Sequence, residues 1–95
     1  MNNCSPSEFY VSQNYPNPFR GKTTIKYCVA YRTQVILTVY NSEGIEIEIL
    51  VYEVQNPGTY EVEYVIAEDG LRNKMYYYQL EAGDYSSIKK MELMQ

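Results

Sequence analysis

The chain has 95 residues and a formal net charge of −4, from 8 basic and 12 acidic side chains with no histidine. That length suits one domain with one modest core, burying roughly 60–65% of the surface the unfolded chain exposes. The acidic balance argues against a nucleic-acid partner, no run of about 18 apolar residues is present to insert into a membrane, and the missing histidine removes the usual general base.

Residues 1–8 lack any period and read as a tail or linker remnant ahead of a domain spanning 9–95. This polar stretch has no apolar core of a secretory signal peptide, so the chain is expected either to stay in the cytoplasm or to be a piece of a longer exported protein. Cys4 lies in the tail, and Cys28 falls on the outer face of a predicted strand. Two free thiols are the expectation here, with a Cys4–Cys28 bridge as the alternative in an oxidising compartment. Two cysteines without histidine do not make a zinc site.

Next come a short apolar piece, Phe9 to Val11, and the motif Gln13-Asn-Tyr-Pro-Asn-Pro-Phe19. Pro16 and Pro18 fix their own φ and push Tyr15 and Asn17 towards extended conformations. The motif should be an extended, kinked stretch, with Tyr15 and Phe19 anchored in a core, closed by a turn at Arg20-Gly21-Lys22.

From Thr23 the period is two. Ile25, Tyr27 and Val29 share one face, and Val35, Leu37 and Val39 repeat the pattern. Asn41-Ser42-Glu43-Gly44 is a hairpin turn in which Asn41 can accept a local backbone bond and Gly44 tolerates positive φ. Ile45, Ile47 and Ile49 then alternate with Glu46 and Glu48, until Leu50-Val51 breaks the pattern and suggests a bulge or burial on both faces. A turn at Gln55-Asn-Pro-Gly58 precedes Tyr60, Val62 and Tyr64, which alternate with Glu61 and Glu63. Residues 67–74 are irregular, with Leu71 expected to plug the core. Tyr76, Tyr78 and Leu80 share a strand face, Glu81-Ala-Gly83-Asp84 is a hairpin turn, and Met91 and Leu93 point inward from a closing strand. Short strands separated by turn signals predict an all-β sandwich.

Catalytic equipment is absent from this pattern. No phosphate-binding or nucleophile motif occurs, and Glu46, Glu48, Glu61 and Glu63 read as solvated charge on polar strand faces. Glu68-Asp69-Gly70 offers two carboxylates where calcium needs six to eight oxygens. No cofactor is expected. Tyr40, Tyr52 and Tyr77 could form an outward aromatic patch, against the plainer reading of cross-strand tyrosine packing.

Several of these residues occur in an order that resembles a known family. The motif of residues 13–19, followed by Thr23-Thr-Ile-Lys-Tyr27, resembles the opening of the type A C-terminal sorting domain of the type IX secretion system. Val35-x-Leu-x-Val-Tyr40 with Gly44, then Leu50-Val51 and Pro57-Gly58-x-Tyr-Glu-Val62, resemble its middle. Tyr76-Tyr-Tyr78, Leu80, Ala82-Gly83-Asp84 and Lys89-Lys-Met91 with Leu93 resemble its end. The chain departs from the family pattern at Gly44-Ile45, Asn73-Lys74, Val65 and Val29-Ala30.

The resemblance implies an immunoglobulin-like sandwich of about seven antiparallel strands, with Asn14, Tyr15, Pro16, Asn17, Pro18, Phe19, Gly44, Gly58 and Gly83 as structural motif residues. It implies a non-catalytic address tag carried at the C-terminus of a cargo protein. Such a tag passes through the periplasm, is recognised by the outer-membrane translocon, and is cut off by a cell-surface sortase, leaving the cargo on the surface or secreted. The expected epitope is the terminal strand from Lys89 to Gln95, with Lys89, Lys90, Met91 and Leu93, the alternative for the two lysines being edge-strand protection against aggregation; the proline-rich motif is expected to clamp the opposite end of the sandwich. An unpaired edge strand would also admit a homodimer by strand addition. The alternatives are a generic immunoglobulin-like adhesion module for carbohydrate or protein, or a flagellar hook-cap type domain. A hydrolase with paired carboxylates is a distant third.

Overall fold

The period-two segments all become strands in the computed structural model, which describes residues 8–66 and 75–94. Among the described residues eight strands form in chain order: β1 (Tyr10–Val11), β2 (Tyr15–Arg20), β3 (Lys22–Val29), β4 (Thr33–Asn41), β5 (Glu46–Gln55), β6 (Gly58–Val65), β7 (Met75–Ala82) and β8 (Tyr85–Glu92). Each β-branched or aromatic run supplies one apolar face and one polar face, as half-buried strands require. The first strand is two residues long, so seven strands of substance remain, as expected.

They divide into two antiparallel sheets. In one, β3 pairs with β6 along its whole length, from Lys22↔Val65 to Val29↔Gly58. Its other edge is shared in tandem by β1, at Tyr10↔Cys28, and β2, at Tyr15↔Thr24 and Arg20↔Lys22. The second sheet runs β5-β4-β7-β8. The inward faces of β3, β4, β6 and β7 meet around Ile25, Leu37, Val39, Tyr64, Tyr78 and Leu80, all buried. This is an all-β sandwich of immunoglobulin-like kind.

Tyrosine does much of the packing. Tyr27 stacks on Tyr60 with ring centroids 5.3 Å apart, and its hydroxyl donates to Gln55 Oε1 at 2.8 Å. Burying the ring while satisfying the hydroxyl is what lets tyrosine replace phenylalanine in a core.

Turn chemistry follows the residues. Asn41 Oδ1 accepts from the amides of Glu43 at 2.8 Å and Ile45 at 3.0 Å, closing the β4–β5 hairpin. The β7–β8 turn is tighter than expected, because Ala82 already pairs with Tyr85 and leaves a two-residue loop. Gly83 there has φ +58, and no non-glycine residue described has positive φ. Positive φ at the first loop position alone defines a type II′ turn.

Four expectations need correction. Tyr15 is 80% exposed, not an anchor, because it stands opposite Thr24 on the solvent face of β3. Phe19, the other proposed anchor, is fully buried. Cys28 is not a free thiol: it is disulfide-bonded, and Cys4, the other cysteine, lies outside the described residues. The isoleucines of β5 do not form a buried face. Ile47 and Ile49 are each 44% exposed, because β5 is the outermost strand of its sheet and its register with β4 slips twice, at Leu37/Thr38 and at Val39/Tyr40. The first slip leaves Leu50 unpaired, which is the bulge that Leu50-Val51 foreshadows. The expectations for Leu71 and for Glu68-Asp69-Gly70 lie outside the described residues.

Candidate recognition site

The fourth correction concerns the proline-rich motif, and it defines the site. Instead of clamping the far end of the sandwich, residues 13–19 lie against the last strand. Phe19 forms a parallel bridge with Leu93, and the Met94 amide donates to the Phe19 carbonyl at 2.6 Å. The Glu92 amide donates to Asn17 Oδ1 at 2.9 Å, and Gln13 Nε2 donates to the Lys90 carbonyl at 2.6 Å. The seam thus joins the two sheets and the two ends of the domain.

The motif is held for this task by a buried polar knot. Asn14 is 2% exposed and Thr23 1%. Asn14 Nδ2 donates to the Pro16 carbonyl and to Thr23 Oγ1, each at 3.1 Å, while the Thr23 hydroxyl donates to the same carbonyl at 2.8 Å. Asn14 Oδ1 accepts from Gln13 Nε2 at 2.8 Å. Proline supplies no amide to pair with a neighbouring strand, so side chains satisfy what a ladder otherwise would. Both X–Pro bonds of the motif are cis. A second tether is the Tyr78 hydroxyl, which donates to the Ser12 carbonyl at 2.6 Å. Burial holds that phenol well above its ordinary range, so it remains a donor.

The predicted epitope residues separate into two kinds. Met91 and Leu93 are 0% and 5% exposed; their side chains face the core and cannot touch a partner while the domain is folded. Lys90 is exposed and Lys89 half-buried. Lys90 stands opposite Tyr77 on the outer face, and Lys89 opposite Tyr78 on the inner face. The other lysines of the described residues are paired, Lys22 with Glu63 at 3.8 Å and Lys26 with Glu61 at 3.5 Å. Lys89 and Lys90 make no such pair among the described residues.

The motif glycines sit at chain reversals: Gly44 ends the β4–β5 turn, Gly58 opens β6 and Gly83 turns β7 into β8. Gly83 is doubly constrained, since a Cβ there would meet the Tyr31 ring at Cζ, 2.9 Å away. Of the outward tyrosines, Tyr52 is 67% exposed, while Tyr40 and Tyr77 border a shallow concavity with Ser42, Gln79 and Ile88. Two site residues escape the sequence reading, Gln13 and Thr23. Thr23 carries a legible signal, as a hydroxyl on the same strand face as Ile25 and Tyr27.

No metal-binding group of three acidic, cysteine or histidine residues occurs among the described residues, and no helix among them is long and apolar enough to cross a membrane. The class of protein this defines is an all-β sandwich whose entry motif and last strand are sewn together, with two lysines on that strand that make no ion pair among the described residues. The family model described as "Secretion system C-terminal sorting domain" matches residues 13–93, and the chain belongs to this family, the sorting domains of type IX secretion. Membership makes the domain a secretion sorting signal and implies export to the cell surface or beyond for the protein that carries it. No curated protein matches the chain, and no solved structure does.

Proposed function

We propose that the domain is read by the outer-membrane translocon of the type IX system through its last strand, with Lys89 and Lys90 as the charged mark. A cargo is fused ahead of it, and a cell-surface sortase severs the domain after passage. The observation that carries this reading is the seam: the family's opening motif spends Gln13, Asn17 and Phe19 on holding residues 90–94 in place. A tag must present one fixed shape to be recognised without catalysis, and burying Met91 and Leu93 fixes the strand while leaving Lys90 exposed. Met91 and Leu93 therefore contribute as anchors. The disulfide at Cys28 suits folding in an oxidising compartment such as the periplasm, where such bonds persist.

The test is the pair Lys89→Glu and Lys90→Glu in the domain fused to a reporter cargo, in a bacterium with a type IX system. Lys90 is exposed, and an exposed substitution costs within about 0.5 kcal/mol, so with Lys90→Glu alone the melting temperature should hold while surface delivery of the reporter falls; the half-buried Lys89→Glu is read only where its melt matches the parent. Undiminished delivery would sink the proposal.

A further inference from the structure

The two free edges of the second sheet are treated differently. The β5 edge has its register broken twice and carries Glu46, Glu48 and Glu53, with no cation from residue 33 to residue 66. Bulges and charge are the usual guards against strand addition. The β8 edge has no bulge, and its only charges from residue 85 to residue 91 are Lys89 and Lys90. Its register with β7 runs unbroken from Ala82↔Tyr85 to Met75↔Glu92, and no carboxylate occurs from residue 85 to residue 91.

Antiparallel pairing alternates residues whose main-chain groups face the partner strand with residues whose groups face away. The Lys90 carbonyl and the Glu92 amide face away from β7, since Gln13 and Asn17 meet them. By the same alternation, the N–H and C=O of Ser86 and Ile88 face away too. The proline-rich motif caps the edge only from residue 90 onward, and among the described residues nothing meets the outward groups of Ser86 and Ile88. Ile88 is 62% exposed, beside Tyr77, Tyr40 and Gln79.

The geometry points to residues 86–90 of β8 as a docking edge for an extended segment of the secretion machinery, which adds to the sheet as a further strand. This rests on the sorting-signal reading and specifies its mode. Charge selects the guest: the edge carries unpaired Lys89 and Lys90, so the guest strand places a carboxylate against Lys90 and an apolar side chain over Ile88. The motif of residues 13–19 then has a second role, as the stop that sets where pairing ends.

Proline tests this directly, because at an outward position it removes the docking donor and leaves the β7–β8 ladder intact. With Ile88→Pro in the reporter fusion, export is expected to fall on the order of tenfold, as losing main-chain pairing implies, with the reporter held in the periplasm. Ile88→Val, which keeps the N–H and the apolar side chain, is expected to export like the parent. Where Ile88→Pro fails to fold by thermal melt, Ser86→Pro, whose N–H points the same way, decides instead. Parent-like export of the folded proline variant overturns strand addition and leaves the sorting reading standing; failure of the parent domain itself to export the reporter overturns the sorting reading. Sedimentation of the purified domain covers the remaining occupant: a dimer abolished by the proline would assign the edge to a second copy and overturn the machinery as guest.

Discussion

The β2–β8 seam and the β5 edge are both margins of the sandwich, yet they are built from opposite materials. At the seam, an aromatic side chain with no exposed surface and three hydrogen bonds hold two chain segments together across the whole sequence, braced by two buried polar residues that bond to each other. At β5, isoleucines and glutamates alike lie open to solvent on a strand held from one side only. The difference teaches where this fold has no slack. The β5 strand completes the sheet and can vary, whereas the seam decides whether the last strand has a defined shape to show. The family motif sits on the seam, which is why it has the specificity of a motif.

The largest expected effect breaks the seam at its centre. Phe19 has no exposed surface and meets the Tyr64 ring edge-on at 6.4 Å. Phe19→Ala should cost about 3–5 kcal/mol, a large part of the stability of a domain this size. Thermal melts should fall by roughly 12 °C or more. In hydrogen exchange the amides of Glu92 and Met94 should lose protection first, because their acceptors belong to the displaced segment. A melt within a few degrees of the parent would mean that the seam is dispensable.

A smaller effect comes from alkali acting on the same core. Burial, followed by the nearby Glu48 and Tyr76, pushes the Tyr64 phenol up to about 12 from its ordinary 10.0. Burial raises Tyr27 and Tyr78 as well. A phenol whose folded-state pKa is raised keeps its proton longer in the fold than in the unfolded chain. Its contribution is therefore complete below pH 10 and is lost as pH climbs from 10 to about 12. The loss from Tyr64 is on the order of 2–3 kcal/mol across that window. Urea unfolding at rising pH should show stability falling as tyrosinate absorbance appears, and a flat profile to about pH 12 would contradict the burial argument.

How much of this was legible in the sequence follows from what is local. Strand periods, the Asn41 and Gly83 turns and the bulge at Leu50-Val51 are set by neighbouring residues, and all were readable. The motif itself was readable as extended and kinked, since proline dictates that within a few residues. What it touches was not. Gln13 and Lys90 are 77 positions apart, and no period or propensity connects them; only closure of the sandwich does. Tyr15 and Phe19 looked equivalent as apolar anchors, but the slip in β2 between Tyr15 and Arg20 turns one out and the other in. The β5 isoleucines misled for a related reason. Alternation names two faces, but it does not say whether a second layer lies over either of them.

The smallest effect tests that last point at β5. Ile49 stands opposite Thr38 on the outer face of the sheet and is 44% exposed. If the strand has no covering layer, Ile49→Lys loses little apolar burial and should change stability by no more than about 0.5 kcal/mol. It also adds a cation to a stretch that has none between residues 33 and 66, beside Glu48, so a slight gain is as consistent as a slight loss. Equilibrium unfolding in urea resolves the size of the change, and the reporter fusion resolves its consequence, since export should not move. A cost of several kcal/mol would instead place a hidden layer over β5. Lost export without lost stability would shift recognition from the β8 edge to the opposite side of the sheet.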